Sequence, residues 1–119
     1  MKVFVAHSSS YDFKNELYIP IRQSSLNNQC EFFLPQEKGP EPVTIDIIKN
    51  SDILVAEVSY PSTGQGIELG WAYVYKIPII YLRKQGSTVS NSIFKLSSTI
   101  IDYTDSHDMI EKLSKVLIS

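Results

Sequence analysis

The chain has 119 residues, 43% of them hydrophobic and 20% charged, with a formal net charge of −2. That length holds one hydrophobic core and suits a single domain over residues 1–119. The charge is near neutral with no Lys/Arg cluster, which argues against a nucleic-acid face, and no apolar run approaches a membrane span. The lone Cys30 excludes an internal disulfide framework, and the N-terminus does not read as a signal peptide, so a cytoplasmic setting is expected.

Residues 2–6 (KVFVA) read as a buried first strand, followed by a polar loop over 7–11 and a helix from Phe13 capped by Asp12. Pro20 should kink or split that helix. Residues 30–34 (CEFFL) form a second strand, and 35–42 (PQEKGPEP) a proline-rich loop read as mobile. A short helix is expected over 43–50, with Ile45, Ile47 and Ile48 inward. A third strand follows over 53–58, and a helix is expected from Ile67, its apolar residues Ile67, Trp71, Val74 and Tyr75 recurring at helical spacing. Residues 78–82 form a fourth strand, 90–96 one or two helical turns, 99–103 a fifth strand and 106–117 an amphipathic helix. Strands alternating with helices imply parallel β-α units with right-handed crossovers. The fold class expected is α/β, a three-layer flavodoxin/Rossmann-like sandwich on a five-stranded parallel sheet.

The chemistry concentrates between Asp52 and Lys76. A strand ending in Glu57 leads through the turn-forming residues 59–66 (SYPSTGQG) into the helix carrying Glu68. This spacing predicts Glu68 in the first helical turn, where free N–H groups would hold its carboxylate ionised. A capping box there would want Ser or Thr at position 65, where Gln65 stands. Such a carboxylate suits nucleophilic attack on a carbon that becomes cationic, as in glycosidic cleavage. Ser62, Thr63, Gly64 and Gly66 offer hydroxyls and main-chain N–H groups to a phosphate. Glu57 reads either as a second pocket carboxylate or, preferably, as a group bonded to neighbouring N–H groups. His7, after the first strand, would be a proton donor to a leaving base or a loop histidine bonded to a neighbour. Trp71, Tyr73 and Tyr75 are expected to pack, some of them at a subunit interface. No spacing suggests a metal site, and no cofactor is expected.

The run D-I-L-V-A-E-V-S from Asp52, with Pro61-Ser62-x-Gly64-x-Gly66-x-Glu68-Leu69-Gly70-x-Ala72, resembles the nucleoside 2-deoxyribosyltransferase family. The Pro-Ser-x-Gly loop is most similar to its branch of 2'-deoxynucleoside 5'-monophosphate N-glycosidases. The resemblance implies Glu68 as the nucleophile that holds a covalent glycosyl intermediate, and Ser62 and Gly64 as phosphate-binding residues. It implies Ser90 as a serine lent across a homodimer interface to the neighbour's phosphate, so that the dimer shares its active sites on a small-molecule nucleotide or nucleoside. Two positions depart from the family. Phe4 stands where the first strand commonly has a tyrosine, with Tyr11 placed to replace its hydroxyl. Thr44 stands where an aspartate helps orient the nucleoside, with Asp46 two residues away and about 200° round a helix.

Two other readings compete. Residues 3–9 (VFVAHSS) with the acidic helix after them resemble the opening of a TIR domain, an NAD-cleaving or interaction module that leaves the Pro-Ser-x-Gly-x-Gly-x-Glu block unexplained. A catalytically silent nucleotide-binding protein is the other, favoured if Phe4 and Thr44 remove the accessory groups. A phosphorylation receiver is excluded, because the first strand lacks a terminal acidic pair and the third ends without an aspartate.

Overall fold

The computed structural model describes residues 1–39 and 42–118. Five parallel strands, β1 (Lys2–Ala6), β2 (Glu31–Phe33), β3 (Ile53–Glu57), β4 (Ile79–Lys84) and β5 (Ile100–Tyr103), form one sheet in the order β2-β1-β3-β4-β5. This is the flavodoxin order expected from the alternating pattern.

Period-two alternation along each strand builds two cores, one on each face. Val3, Val5, Val55, Ile80 and Leu82 point to one side and meet Ile21 of α1 (Ile19–Gln23), Leu26 of α2 (Leu26–Gln29), and Met109 and Leu113 of α5 (Ser106–Leu117). Phe4, Ala6, Leu54, Ala56 and Tyr81 point to the other and meet Ile48 of α3 (Ile45–Lys49) and Leu69 and Ala72 of α4 (Thr63–Val74). Both faces of the sheet are thus covered, which is why its strands read as continuous apolar runs.

Pro20 does not split its helix. Residues Lys14–Tyr18 wind as a π-turn, the Ile19 N–H reaching Lys14 O, and run directly into α1. Pro20 stands where the winding changes from π to α, and the Glu16 carbonyl that its missing N–H would have met accepts from Ser106 Oγ at 2.8 Å instead. Asp12 caps as expected, its carboxylate accepting from Asn15 N at 3.4 Å. The second strand and the 43–50 helix are shorter than predicted, and of the three isoleucines only Ile48 is fully buried. Residues 90–96 supply one 3-10 turn, Asn91–Lys95. The reading of 35–42 as a mobile loop falls partly on Pro40 and Glu41, outside the described residues. Residues before them are held by Arg22, whose guanidinium grips Glu37 at 2.7 and 2.8 Å.

The largest correction concerns α4, which begins at Thr63. Ser62 is its N-cap, the hydroxyl accepting from Gln65 N at 3.3 Å. Gln65 therefore occupies the third position of the helix, the glutamine place of a capping box, although its side chain reaches elsewhere. Glu68 lies in the second turn rather than the first. Of the residues recurring at helical spacing, Trp71 is half-buried against the core, while Ile67 is 50% and Val74 72% exposed; Gln65, Leu69 and Ala72 are the buried positions.

Candidate active site

The chain leaves β1 toward β2 and leaves β3 toward β4, so the loops after β1 and β3 diverge and open a crevice at the carboxyl ends of the strands. A cleft of about 500 Å³ lies there, walled by His7, Ser8, Ser9 and Ser10 after β1, Gln36 after β2, and Ser62, Gly64, Gln65 and Glu68 of the β3–α4 corner. A second cleft, of about 470 Å³, adjoins the same helix start and includes Ser62, Gly66 and Ser90. Ser62 and Gln65 line both.

Glu68 is half-buried and its carboxylate makes no hydrogen bond among the described residues. Burial alone pushes it up to about 7, because nothing compensates the charge for lost water. The expected stabilisation by first-turn N–H groups is absent, since the residue stands one turn further along. Of those N–H groups, Gln65 N meets Ser62 Oγ and Gly66 N meets Ser62 O. A Cβ placed on Gly64 would meet no atom within 4 Å, so the glycine leaves open space at the cleft rather than relieving a clash.

His7 is buried and both ring nitrogens are engaged. Nδ1 faces Ser8 O at 2.9 Å, a carbonyl that only accepts, so Nδ1 carries the proton. Nε2 lies 2.5 Å from the Tyr18 hydroxyl, which itself accepts from Gln36 N at 3.0 Å. Burial lowers the His7 pKa and pushes the Tyr18 hydroxyl up to about 12, giving a neutral imidazole that accepts from Tyr18. His7 thus lines the cleft, but as a fastened neutral ring and not as a free proton donor. Gln36 closes this wall by donating to Ser9 Oγ at 2.9 Å.

Glu57 is fully buried at the end of β3 and takes hydrogen bonds from Ser59 N and the Tyr103 hydroxyl. It is the bonded group the sequence preferred, and it lines neither cleft.

His7, Ser62, Gly64 and Glu68 therefore meet in one cleft, and Gly66 and Ser90 lie in the next. Three predicted residues stand apart. Phe4 is wholly buried beneath the sheet, stacked on Phe33 with centroids 5.4 Å apart, so it cannot touch a ligand. Asp46 is exposed on α3 and lines neither cleft. Tyr11 stacks on Tyr60 at 4.5 Å with its hydroxyl buried and unpaired among the described residues, and the carboxylates that raise its pKa, after burial itself, are Glu57 and Glu16, not Glu68. Sequence reasoning placed Ser8–Ser10 in a polar loop after the first strand and missed Gln36 and Tyr18. No local pattern marks them, because they meet only through the fold.

No family model matches the chain. A Thermofilum pendens protein named "Putative 2'-deoxynucleoside 5'-phosphate N-hydrolase 1" is 35% identical over 94 residues, 71% of this chain and 66% of its own length. A Methanosarcina mazei protein of the same name is 34% identical over 74 residues, 62% of this chain and 45% of its own. The chain is a relative of both. It spans just under two thirds of the first and less than half of the second. Among solved structures, a Clostridium botulinum CMP N-glycosidase superposes with a TM-score of 0.74 at 23% identity, covering 98% of this chain and 100% of that one. A 2-deoxyribosyltransferase from Bacillus psychrosaccharolyticus superposes at 0.65 and 18% identity, covering 92% and 90%. Both share its fold. The resemblance read from the Pro-Ser-x-Gly-x-Gly-x-Glu block is borne out in these relatives, and the TIR-like reading is not favoured.

Proposed function

We propose that the chain is an N-glycosidase of (deoxy)nucleoside 5'-monophosphates, working through a glycosyl–Glu68 intermediate, with deoxyribosyl transfer as the variant when a second base takes the place of water. The observation that carries this is a half-buried carboxylate with no hydrogen-bond partner among the described residues, set one turn beyond a capped helix start in the same cleft. A sugar seated against Glu68 would hold its 5'-phosphate on Ser62, Gly64 and the free N–H groups of α4. The Glu68 carboxylate attacks C1', and the base departs with the electron pair of the C–N bond and takes up a proton. Water then attacks C1' and loses a proton, freeing the sugar phosphate and restoring the carboxylate.

The single domain acts, in this reading, as a cytoplasmic homodimer. The exposed Ile67, Tyr73 and Val74 of α4 and the exposed Phe94 beside Ser90 support it, because apolar surface of this kind calls for a partner. Ser90 lies outside the Glu68 cleft of its own chain, which fits its service to a neighbour.

Incubation with ribo- and deoxynucleoside 5'-monophosphates, matching nucleosides and NAD, followed by measurement of free base, tests the proposal. Release from monophosphates is the expected result. Release only from nucleosides with an acceptor moves the chain to the transferases, and nicotinamide release or silence across the panel sinks the reading.

A further inference from the structure

Glu57 is buried to 0% exposure, yet none of its polar atoms is spare. One carboxylate oxygen accepts from Ser59 N, the other from the Tyr103 hydroxyl on β5, and its main-chain oxygen accepts from the side-chain amide of Gln65 in the first turn of α4. Ser59 Oγ in turn accepts from Lys84 N of β4 at 2.7 Å. Residues 58–64 are thereby tied at the start to β4 and β5 and at the end to the helix. Burying a carboxyl costs free energy that its hydrogen bonds only offset, so it is no better for stability than a well-packed apolar group. Its distinct effect is on the segment it fastens, which contains the Ser62 cap and Gly64.

We infer that Glu57, acting with Tyr103 and Gln65, is the positioning residue of the phosphate-binding loop, holding residues 58–64 so that their donors converge on the 5'-phosphate. This rests on the reading of the site given above. Glu57 touches no substrate. Its influence runs through the main chain of Ser59 and the side chain of Gln65, and should bear on the phosphate end of a ligand while leaving the sugar and base alone.

The test is calorimetric binding of a 2'-deoxynucleoside 5'-monophosphate and of the matching nucleoside to the full chain carrying Glu68→Ala, which cannot turn them over. Each ligand is compared with and without Tyr103→Phe or Glu57→Gln. The monophosphate should weaken roughly tenfold and the nucleoside less than about twofold, the scale of one misplaced charge-assisted hydrogen bond. Equal weakening of both ligands, or no change in either, overturns the inference while the reading of the site stands. A parent chain that binds the monophosphate no better than the nucleoside overturns both together. Where Glu57→Gln folds poorly, Tyr103→Phe decides, since it removes one oxygen and keeps the ring.

Discussion

The Tyr18 hydroxyl lies 2.5 Å from Nε2 of His7 and accepts a second hydrogen bond from the main-chain N–H of Gln36 at 3.0 Å. Protonating His7 would give Nε2 a hydrogen where it now accepts one, in a buried site that already disfavours charge. The folded pKa is below 6.5, so between the two values the unfolded chain binds more protons. Stability from this residue is complete above about 6.5 and is lost as pH falls through the folded value. Melting temperature of the parent should therefore fall more steeply from neutral to acid pH than that of His7→Gln. Parallel curves would contradict the neutral assignment.

Glu68 carries the opposite linkage. Its folded pKa of about 7 exceeds the usual 4.5, so across that window the native chain binds more protons and stability declines as pH rises. Glu68→Gln should thus raise the melting temperature at pH 8 and leave it little changed at pH 4. The same substitution should abolish base release, and in the parent, release should climb with pH to a plateau above about 7 as the carboxylate ionises. Activity that survives in Glu68→Gln would remove this residue from the mechanism.

Ser62 and Ser90 should separate in their effects. Ser62→Ala removes the cap of α4 and should cost about 1 kcal/mol, or roughly 4 °C of melting temperature. Ser90 is exposed and caps nothing through its side chain, so Ser90→Ala should leave the melting curve in place. Both should raise KM for monophosphates more than for nucleosides. Kinetics with equal effects on the two substrate classes would exclude the phosphate role.

Gly64→Ala sets stability against binding. Alanine is the better helix former and its methyl meets nothing in the chain, so the variant should be more stable by roughly 0.5 kcal/mol. The methyl points into space a phosphate would use, and monophosphate binding should weaken. Tighter binding in the variant would show that the space is not a ligand's.

Val74→Glu places a charge at the C-terminal end of the exposed side of α4. Sedimentation should show the parent as a dimer and this variant as a monomer. Loss of monophosphate hydrolysis without loss of melting temperature would show that the site is completed by the second copy.

The strands were legible as short unbroken apolar runs, the mark of a sheet covered on both faces, and α5 by its period of 3.6. The start of α4 was not. Gly64 and Gly66 read as turn formers, yet both lie within the helix, where the Ser62 cap and the buried bond of Gln65 to Glu57 outweigh their weak propensity. The spacing of Ile67, Trp71 and Val74 did not tell which of them meets the core, because periodicity gives a face and not what the face meets; only Trp71 does. In the site, Glu68, Ser62 and Gly64 were visible as one contiguous block. Tyr18 and Gln36 were not, since residues eleven and twenty-nine positions from His7 reach it only by way of the helix and the second strand.

The π-turn over Lys14–Tyr18 brings residues five apart onto one side, so that the Phe13 and Tyr18 rings stand 5.1 Å from each other and both press on the His7 ring. A helix of ordinary pitch would set Leu17 above Phe13, and the imidazole would meet hydrocarbon in place of a phenol. One surplus residue in the winding thus decides whether the floor of the crevice is wet chemistry or grease.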